Sequence, residues 1–325
     1  MEYTRLGNSG LQVSRIILGC MSFGDPASGG HPWTLNYDQS RDIIHAALDA
    51  GITVFDTANV YSAGTSEEIT GKVLREAGVR DQVIVATKVH GRMGPGPKES
   101  GLSRAAILEQ AEASLQRLET DHIDLYQIHR LDPEVPPEEI LEALNDLVRS
   151  GKVRYIGASS MQAWQFAQLQ YTADLGGWTR FVSMQDQYNL LMREEEREML
   201  PFCLDQGVGV IPWSPLARGV LAREWDTTTK RSSTDQFAQT LYTQDVVADK
   251  AVSDAVGSIA AQRSVTRAQV ALAWLLSRPA VTAPIVGATR VDQLADAVGA
   301  TDLKLDEEEI SQLEAPYTPR YNTGF

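Results

Sequence analysis

The chain has 325 residues, and 29 Lys and Arg stand against 43 Asp and Glu, which gives a formal net charge of −14. A diffuse basic surface for nucleic acid is therefore not expected, whereas a local basic pocket is compatible with this balance. No apolar run approaches the roughly 20 residues that cross a bilayer, and the first residues lack the order of a signal peptide. The two cysteines, Cys20 and Cys203, form no CxxC or Cys/His cluster. We therefore expect no disulfide scaffold and no metal site. Two unclustered cysteines are typical of a protein in a reducing cytoplasm.

Short apolar runs alternate with longer amphipathic stretches from one end of the chain to the other. Eight runs rich in Val, Ile and Tyr are predicted as strands: Arg15–Gly19, Thr53–Thr57, Val83–Val89, Ile123–His129, Tyr155–Ser159, Phe181–Gln187, Gly209–Ser214 and Pro284–Ala288. Helical patterns lie between them, at Tyr37–Ala50, Ser66–Ala77, Ser103–Leu118, Pro137–Ser150, Ala163–Tyr171, Glu194–Gln206 and Val291–Ala300. Ser66 and Ser103 are predicted to begin helices, and Gly51, Gly78, Gly151 and Gly207 to end them.

Eight alternations of strand and helix predict a parallel sheet with helices outside, which is an α/β fold. A closed (β/α)8 TIM barrel uses all eight strands without leaving edges. An open doubly wound sheet is the alternative, but its usual GxGxxG fingerprint is absent, because Gly19–Gly24 reads GCMSFG. The barrel is therefore favoured.

Three pieces lie outside this repeat, and none of them divides the chain, so we expect one barrel domain over residues 1–325. Residues 1–14 read as an N-terminal β-hairpin, with Tyr3–Leu6 and Leu11–Ser14 on either side of a Gly-containing turn. Residues 216–249 are a long insertion after strand seven, of the kind that is usually functional, and helical patterns at Asp249–Gln262 and Arg267–Ser277 follow it. Residues 316–325 form a short C-terminal tail.

Ionisable side chains end three consecutive predicted strands, where the chemistry of a barrel is found. Asp56, Lys88 and His129 follow strands two, three and four, and Tyr61 lies on the loop after Asp56. Singly, each has an ordinary structural interpretation as a helix cap, a solvated cation, a hydrogen-bonded histidine or a packed ring. Together they would line one opening.

These four groups suit protonation of a carbonyl oxygen. A tyrosine hydroxyl has an ordinary pKa near 10, and a neighbouring lysine cation lowers that pKa by favouring the phenolate. Asp56 would hold Lys88, and His129 would orient the carbonyl or assist proton transfer. Reduction also needs a hydride, which no protein side chain supplies, so the interpretation implies a cofactor.

The sequence resembles the aldo-keto reductase superfamily over nearly its whole length. The segment Gly51–Tyr61, GITVFDTANVY, keeps the family's G-x-x-x-x-D-T-A-x-x-Y run, and Ala86–Lys88 and Tyr126–His129 resemble its lysine and histidine strands. The resemblance implies a (β/α)8 barrel that binds a nicotinamide cofactor across its mouth. It also implies that Tyr61 is the general acid, that Lys88 and Asp56 tune it, and that His129 orients the substrate.

The resemblance further implies cofactor contacts. Ser159, Ser160 and Gln185 match residues near the carboxamide, although the family has asparagine where this chain has Ser160. Trp213 matches an aromatic ring stacked on nicotinamide. The pyrophosphate loop corresponds to Ser214, Pro215, Leu216, Ala217, Arg218 and Gly219, and the adenosine end to Gly287, Thr289, Arg290, Gln293 and Asp296. Arg290 suits a ribose 2′-phosphate by charge and fork geometry, which favours NADPH over NADH.

The branch that this chain resembles includes aryl-alcohol dehydrogenase-like reductases and potassium-channel β subunits. The leading hypothesis is NADPH-dependent reduction of an aldehyde or ketone to an alcohol, with Met21, Trp33 and Arg130 as neighbours of a small carbonyl substrate. The alternatives are an NADP(H)-binding regulatory subunit with little turnover, and a lyase or isomerase barrel without hydride transfer. A homo-oligomer is compatible with the sequence, and neither a nucleic acid nor a membrane is expected as a partner. The acidic run Glu194–Glu198 is given no role.

Overall fold

The structure, a computed structural model, describes residues 1–25, 31–229, 233–235, 240–242 and 245–321. Eight parallel strands form one sheet: β3 (Ile17–Gly19), β4 (Val54–Asp56), β5 (Ile84–Val89), β6 (Ile123–Ile128), β7 (Val153–Ser159), β8 (Ser183–Gln185), β9 (Gly209–Val210) and β10 (Ile285–Gly287). The N–H of Thr282 donates to the carbonyl of Val210, and the N–H of Ile285 donates to that of Pro212. These bonds join the region of β9 to that of β10, so the sheet closes into the predicted (β/α)8 barrel.

Helices surround the barrel, and those that follow strands bury apolar residues against it, as Ile140, Leu141 and Leu144 of Pro137–Arg149 do. The described α-helices span Tyr37–Asp49, Thr65–Glu76, Arg104–Arg117, Pro137–Arg149, Ala163–Gly176, Met199–Gln206, Val246–Arg263, Arg267–Leu276, Val291–Gly299 and Glu307–Glu314. Short 3₁₀ turns lie at Tyr61–Gly64, Arg80–Gln82, Glu194–Glu196 and Ala217–Ala222. No α-helix in the described ranges is both long and apolar enough to cross a membrane.

The N-terminal hairpin, β1 (Tyr3–Arg5) and β2 (Gln12–Ser14), confirms the prediction for this segment. Leu6 and Val13 are buried in one apolar cluster with side chains from inside the barrel, among them Ile17 and Leu125. The hairpin thereby closes the end of the barrel at which the strands begin. Access for a ligand is left to the opposite end, where the strands finish.

Several predicted boundaries are wrong for local reasons. The predicted helix Glu194–Gln206 is broken into a 3₁₀ turn and the helix Met199–Gln206, because a continuous helix would press the ring of Pro201 against the carbonyl of Arg197. Ser66 does not cap its helix, which begins at Thr65; its hydroxyl donates instead to the carbonyl of Cys20 at 2.7 Å.

The helix predicted from Asp249 also begins earlier. It begins at Val246, since Asp245 caps it by accepting from the N–H of Ala248. Residues 230–232, 236–239 and 243–244 of the insertion lie outside the described residues, as do residues 322–325 of the tail. Ser103 does cap its helix, as predicted.

Candidate active site

Asp56, Tyr61, Lys88 and His129 lie together at the open end of the barrel. Strands β4 and β5 bring Asp56 and Lys88 into contact, with 2.5 Å between the Lys88 Nζ and the Asp56 Oδ1. The Lys88 Nζ also donates to the Tyr61 hydroxyl at 3.3 Å. The ring of His129 meets the ring of Tyr61 edge to face, with 5.7 Å between the ring centres. The arrangement is thus a chain from a buried ion pair to a phenol and then to an imidazole.

Both oxygens of the Asp56 carboxylate accept hydrogen bonds. Its second oxygen, Oδ2, accepts from the Nε2 of Gln127 and from the Nε2 of Gln185, both at 2.9 Å. Lys88 is in turn fixed by a 2.7 Å bond from its Nζ to the carbonyl of Thr57. Sequence reasoning missed Gln127, although an amide inside the apolar strand β6 is an available signal, because a buried polar group needs a partner.

Electrostatics in this site differ from the expectation in one respect. Burial raises the pKa of Tyr61 above its ordinary value, and the opposing effect of Lys88 only reduces that rise. The predicted lowering of the Tyr61 pKa is therefore wrong for the protein without a ligand, because removal from water penalises the phenolate. Burial alone would lower the pKa of Lys88, but Asp56 and Tyr61 outweigh it and raise that pKa. Burial, with help from Lys88 and Arg130, holds the pKa of His129 well below its usual value.

A cavity of about 1050 Å³ opens beside these groups. Its volume slightly exceeds the roughly 300–1,000 Å³ typical of ligand pockets. The predicted site residues that line it are Met21, Trp33, Asp56, Tyr61, His129, Arg130, Ser159, Gln185, Trp213, Ser214, Pro215, Leu216, Arg218, Gly219, Gly287, Thr289, Arg290, Gln293 and Asp296. Lys88 and Ser160 are buried behind the wall, and Ser160 accepts from the Nε1–H of Trp213 at 3.0 Å.

The backbone after β9 turns sharply beside the cavity. Ser214, Ala217 and Arg218 have φ values of 52°, 47° and 54°, and Gly219 has 96°. Within this turn the N–H of Ala217 donates to the carbonyl of Ser214 at 2.9 Å, and the N–H of Gly219 donates to the carbonyl of Leu216 at 2.8 Å. The Arg218 side chain forms an ion pair with buried Asp235, whose Oδ2 lies 2.7 Å from both the Nε and the Nη2 of the arginine.

A second arginine, Arg223, also lies beside this turn, and the sequence interpretation missed it. It lines the cavity, and no carboxylate pairs with it among the described residues; its Nε donates to the carbonyl of Thr227 at 3.1 Å. Its Nη1 lies 2.6 Å from the point that a Cβ on Gly219 would occupy. Arg223 therefore adds positive charge to the cavity wall beside the turn at Gly219.

The far end of the cavity is formed by the start of the helix Val291–Gly299. Arg290 is exposed and holds Asp292 through two bonds of 3.0 and 2.8 Å. The Oε1 of Gln293 accepts from the N–H groups of Thr289 and Arg290, at 2.8 and 3.2 Å, and so caps the helix. Burial raises the pKa of Asp296 in the same wall.

Comparison with known proteins agrees with this architecture. The model of the aldo/keto reductase family matches residues 15–317. The chain is 48% identical to a versiconal hemiacetal acetate reductase of Aspergillus parasiticus, over 98% of both chains. It is 46% identical to a putative aryl-alcohol dehydrogenase of Schizosaccharomyces pombe, over 98% of this chain and 96% of that one. A putative aryl-alcohol dehydrogenase of Saccharomyces cerevisiae is 39% identical over 98% of each chain.

The fold and the match define a barrel oxidoreductase. The chain belongs to the aldo/keto reductase family, and its relatives are aryl-alcohol dehydrogenase-like members of it. The family and the reductase names among the relatives indicate reduction of carbonyl groups with a nicotinamide cofactor.

Proposed function

We propose that this protein reduces an aldehyde or ketone to an alcohol with NADPH, in a reversible reaction for which Tyr61 supplies the proton. The observation that carries the proposal is the 3.3 Å contact between the Lys88 Nζ and the Tyr61 hydroxyl beside the large cavity. A lone buried phenol is a poor acid, whereas a phenol against a fixed cation can release its proton when charge develops on a carbonyl oxygen.

Asp56, Tyr61, Lys88 and His129, which we call the tetrad, each have a distinct task in this proposal. The raised pKa of Tyr61 keeps its hydroxyl protonated at neutral pH, so that a proton is available. Lys88 stabilises the phenolate that remains, and Asp56 keeps Lys88 in place. His129, whose pKa is low, is neutral and donates one ring N–H to the substrate carbonyl oxygen.

The donor set fits a dinucleotide phosphate. Ser159 and Gln185 would bind the carboxamide, and Trp213 would lie against the nicotinamide ring. Arg223, beside the turn at Gly219, would bind the pyrophosphate, and Arg290 would bind the 2′-phosphate. When bound, the nicotinamide supplies the hydride that reaches the carbonyl carbon. Since Asp292 already holds Arg290, that arginine must exchange or share its carboxylate partner on binding.

The role of Tyr61 is tested with Tyr61→Phe. We expect NADPH binding to persist, measured by the fluorescence of the bound nucleotide, and turnover of 4-nitrobenzaldehyde to fall by about 10²-fold or more, because the proton donor is lost. Tyr171→Phe is the control, since Tyr171 is exposed on the helix Ala163–Gly176. Near-normal turnover of several aldehydes by Tyr61→Phe would overturn the assignment.

The preference for NADPH is tested with Arg290→Ala. The dissociation constant for NADPH should rise about tenfold, the cost of a lost charge-assisted bond, while that for NADH stays unchanged. Arg41→Ala is the control, because Arg41 is also exposed and paired with a nearby aspartate. Equal losses for both nucleotides would contradict a contact with the 2′-phosphate.

The same assays separate the regulatory alternative from the enzyme. Tight NADPH binding without turnover across a broad aldehyde panel would favour a subunit that senses the nucleotide. The single barrel domain over residues 1–325 and the cytoplasmic location stay predictions; both cysteines are buried and free.

A further inference from the structure

Asp186 is a buried acid that the proposed chemistry does not use. It directly follows Gln185 at the end of β8 and is inaccessible to solvent. It does not line the cavity, and its Oδ2 has no hydrogen-bond partner within the described part of the chain. A buried carboxyl group that is only half satisfied is costly, so its presence calls for an explanation.

Three hydrogen bonds link Asp186, Ser160 and Trp213, and two of them involve Asp186. Its Oδ1 accepts from the N–H of Ser160 at 3.0 Å. Its own carbonyl accepts from the N–H of Trp213 at 2.9 Å. The triangle is closed by the indole of Trp213, whose Nε1–H donates to the Ser160 hydroxyl at 3.0 Å. The ends of β7 and β8 and the segment after β9 are thereby tied together.

The bond to Ser160 supports an unfavourable backbone conformation. Ser160 has a φ of 55°, in the left-handed region that non-glycine residues seldom occupy. Ser160 is buried, so its N–H has no access to water as a replacement for the carboxyl oxygen. Without that acceptor, the backbone would turn toward the extended region and carry the hydroxyl away from the indole of Trp213.

The charges around Asp186 are compatible with a supporting role. Burial, together with nearby Glu195, raises the pKa of Asp186 well above its ordinary value, and Arg130 only opposes this. Burial raises the pKa of Cys203, and nearby Asp186 and Glu195 raise it further.

We propose that Asp186 is a positioning residue that fixes Ser160 and, through it, the indole of Trp213 against which the nicotinamide binds. The proposal rests on the proposed function, because it concerns the same cofactor site. It differs from a general packing role, since it depends on one oxygen atom at one position. An amide that keeps this oxygen should replace the acid, whereas a methyl group should not.

The experiment compares Asp186→Asn with Asp186→Ala. NADPH binding is titrated without substrate, and Tm is recorded for each variant. We expect Asp186→Asn to bind within about twofold of the wild type and Asp186→Ala to bind about tenfold more weakly, because an indole that is no longer held must be ordered when NADPH binds. Cys203→Ala is the control, because it truncates another inaccessible side chain near Asp186 and leaves the triangle intact.

A second readout needs no cofactor. The indole N–H resonance of Trp213, identified by its loss in Trp213→Phe, should move in Asp186→Ala and stay in place in Asp186→Asn and Cys203→Ala. Wild-type NADPH affinity in Asp186→Ala, or an equal loss in Cys203→Ala, would overturn the proposal. A wild-type protein that binds no nicotinamide nucleotide would overturn the proposed function instead, and the indole resonance would still decide whether Asp186 positions Trp213.

Discussion

Substitutions in the ion pair between Asp56 and Lys88 should cause a large loss of stability. Their side chains are 3% and 0% exposed, and 2.5 Å separates the Asp56 Oδ1 from the Lys88 Nζ. Removal of one partner leaves the other charge buried without compensation, at a cost of about 3–5 kcal/mol. Asp56→Asn and Lys88→Met should therefore each lower the free energy of unfolding by about that amount, a large share of the roughly 5–15 kcal/mol typical of a domain.

The double variant Asp56→Asn with Lys88→Met should be less destabilised than the sum of the single variants. Replacement of both charges strands no ion, so we expect a coupling of about 2 kcal/mol or more in a double-mutant cycle measured by urea unfolding. The bonds from Gln127 and Gln185 to Asp56 keep one oxygen acceptor in the asparagine variant, which limits side effects.

A surface pair provides the matched control for this cycle. Lys250 and Asp254 lie 2.6 Å apart on one helix with about half of each side chain exposed, at 49% and 56%. Lys250→Met and Asp254→Asn should each change the free energy of unfolding by less than about 1 kcal/mol. Strict additivity of the Asp56 and Lys88 substitutions would refute the reasoning, because it would mean that neither charge depends on the other.

Two further predictions concern pH and packing. The pKa of His129 is held well below the roughly 6.5 of an unfolded chain, so the unfolded state binds the extra proton below that pH and stability falls there, by up to about 1.4 kcal/mol per pH unit. His129→Gln should remove this slope from urea-unfolding curves at pH 5–7, whereas substitution of exposed His45 should keep it; identical slopes would contradict the assignment. A Cβ on Gly71 would lie 2.2 Å from the carbonyl oxygen of Leu118, so Gly71→Ala should lower the free energy of unfolding by about 1–3 kcal/mol. Gly257→Ala meets only a flexible side chain and should be tolerated; equal Tm losses in both variants would refute this reading of the packing.

The barrel and the members of the tetrad could be predicted from the sequence. Alternation of apolar runs with amphipathic stretches is a local property, and in a parallel barrel the residues after successive strands must meet at one end. That geometry sufficed to bring Asp56, Lys88 and His129 together before any distance was known. Helix boundaries followed the same logic where a single residue decides them, as Ser103 does by capping its helix.

Only the tertiary structure decided which partners the charged and buried polar groups have. The sequence offered Arg218 for the pyrophosphate, but Asp235, 17 residues further on, occupies its guanidinium, and Arg223 lies against Gly219 instead. It also predicted a lowered pKa for Tyr61 from the neighbouring cation, whereas the depth of burial reverses the sign. Desolvation and pairing depend on contacts between residues distant in the chain, and no local pattern encodes them. The bond from Ser160 to Asp186, which joins two strand ends, belongs to the same class.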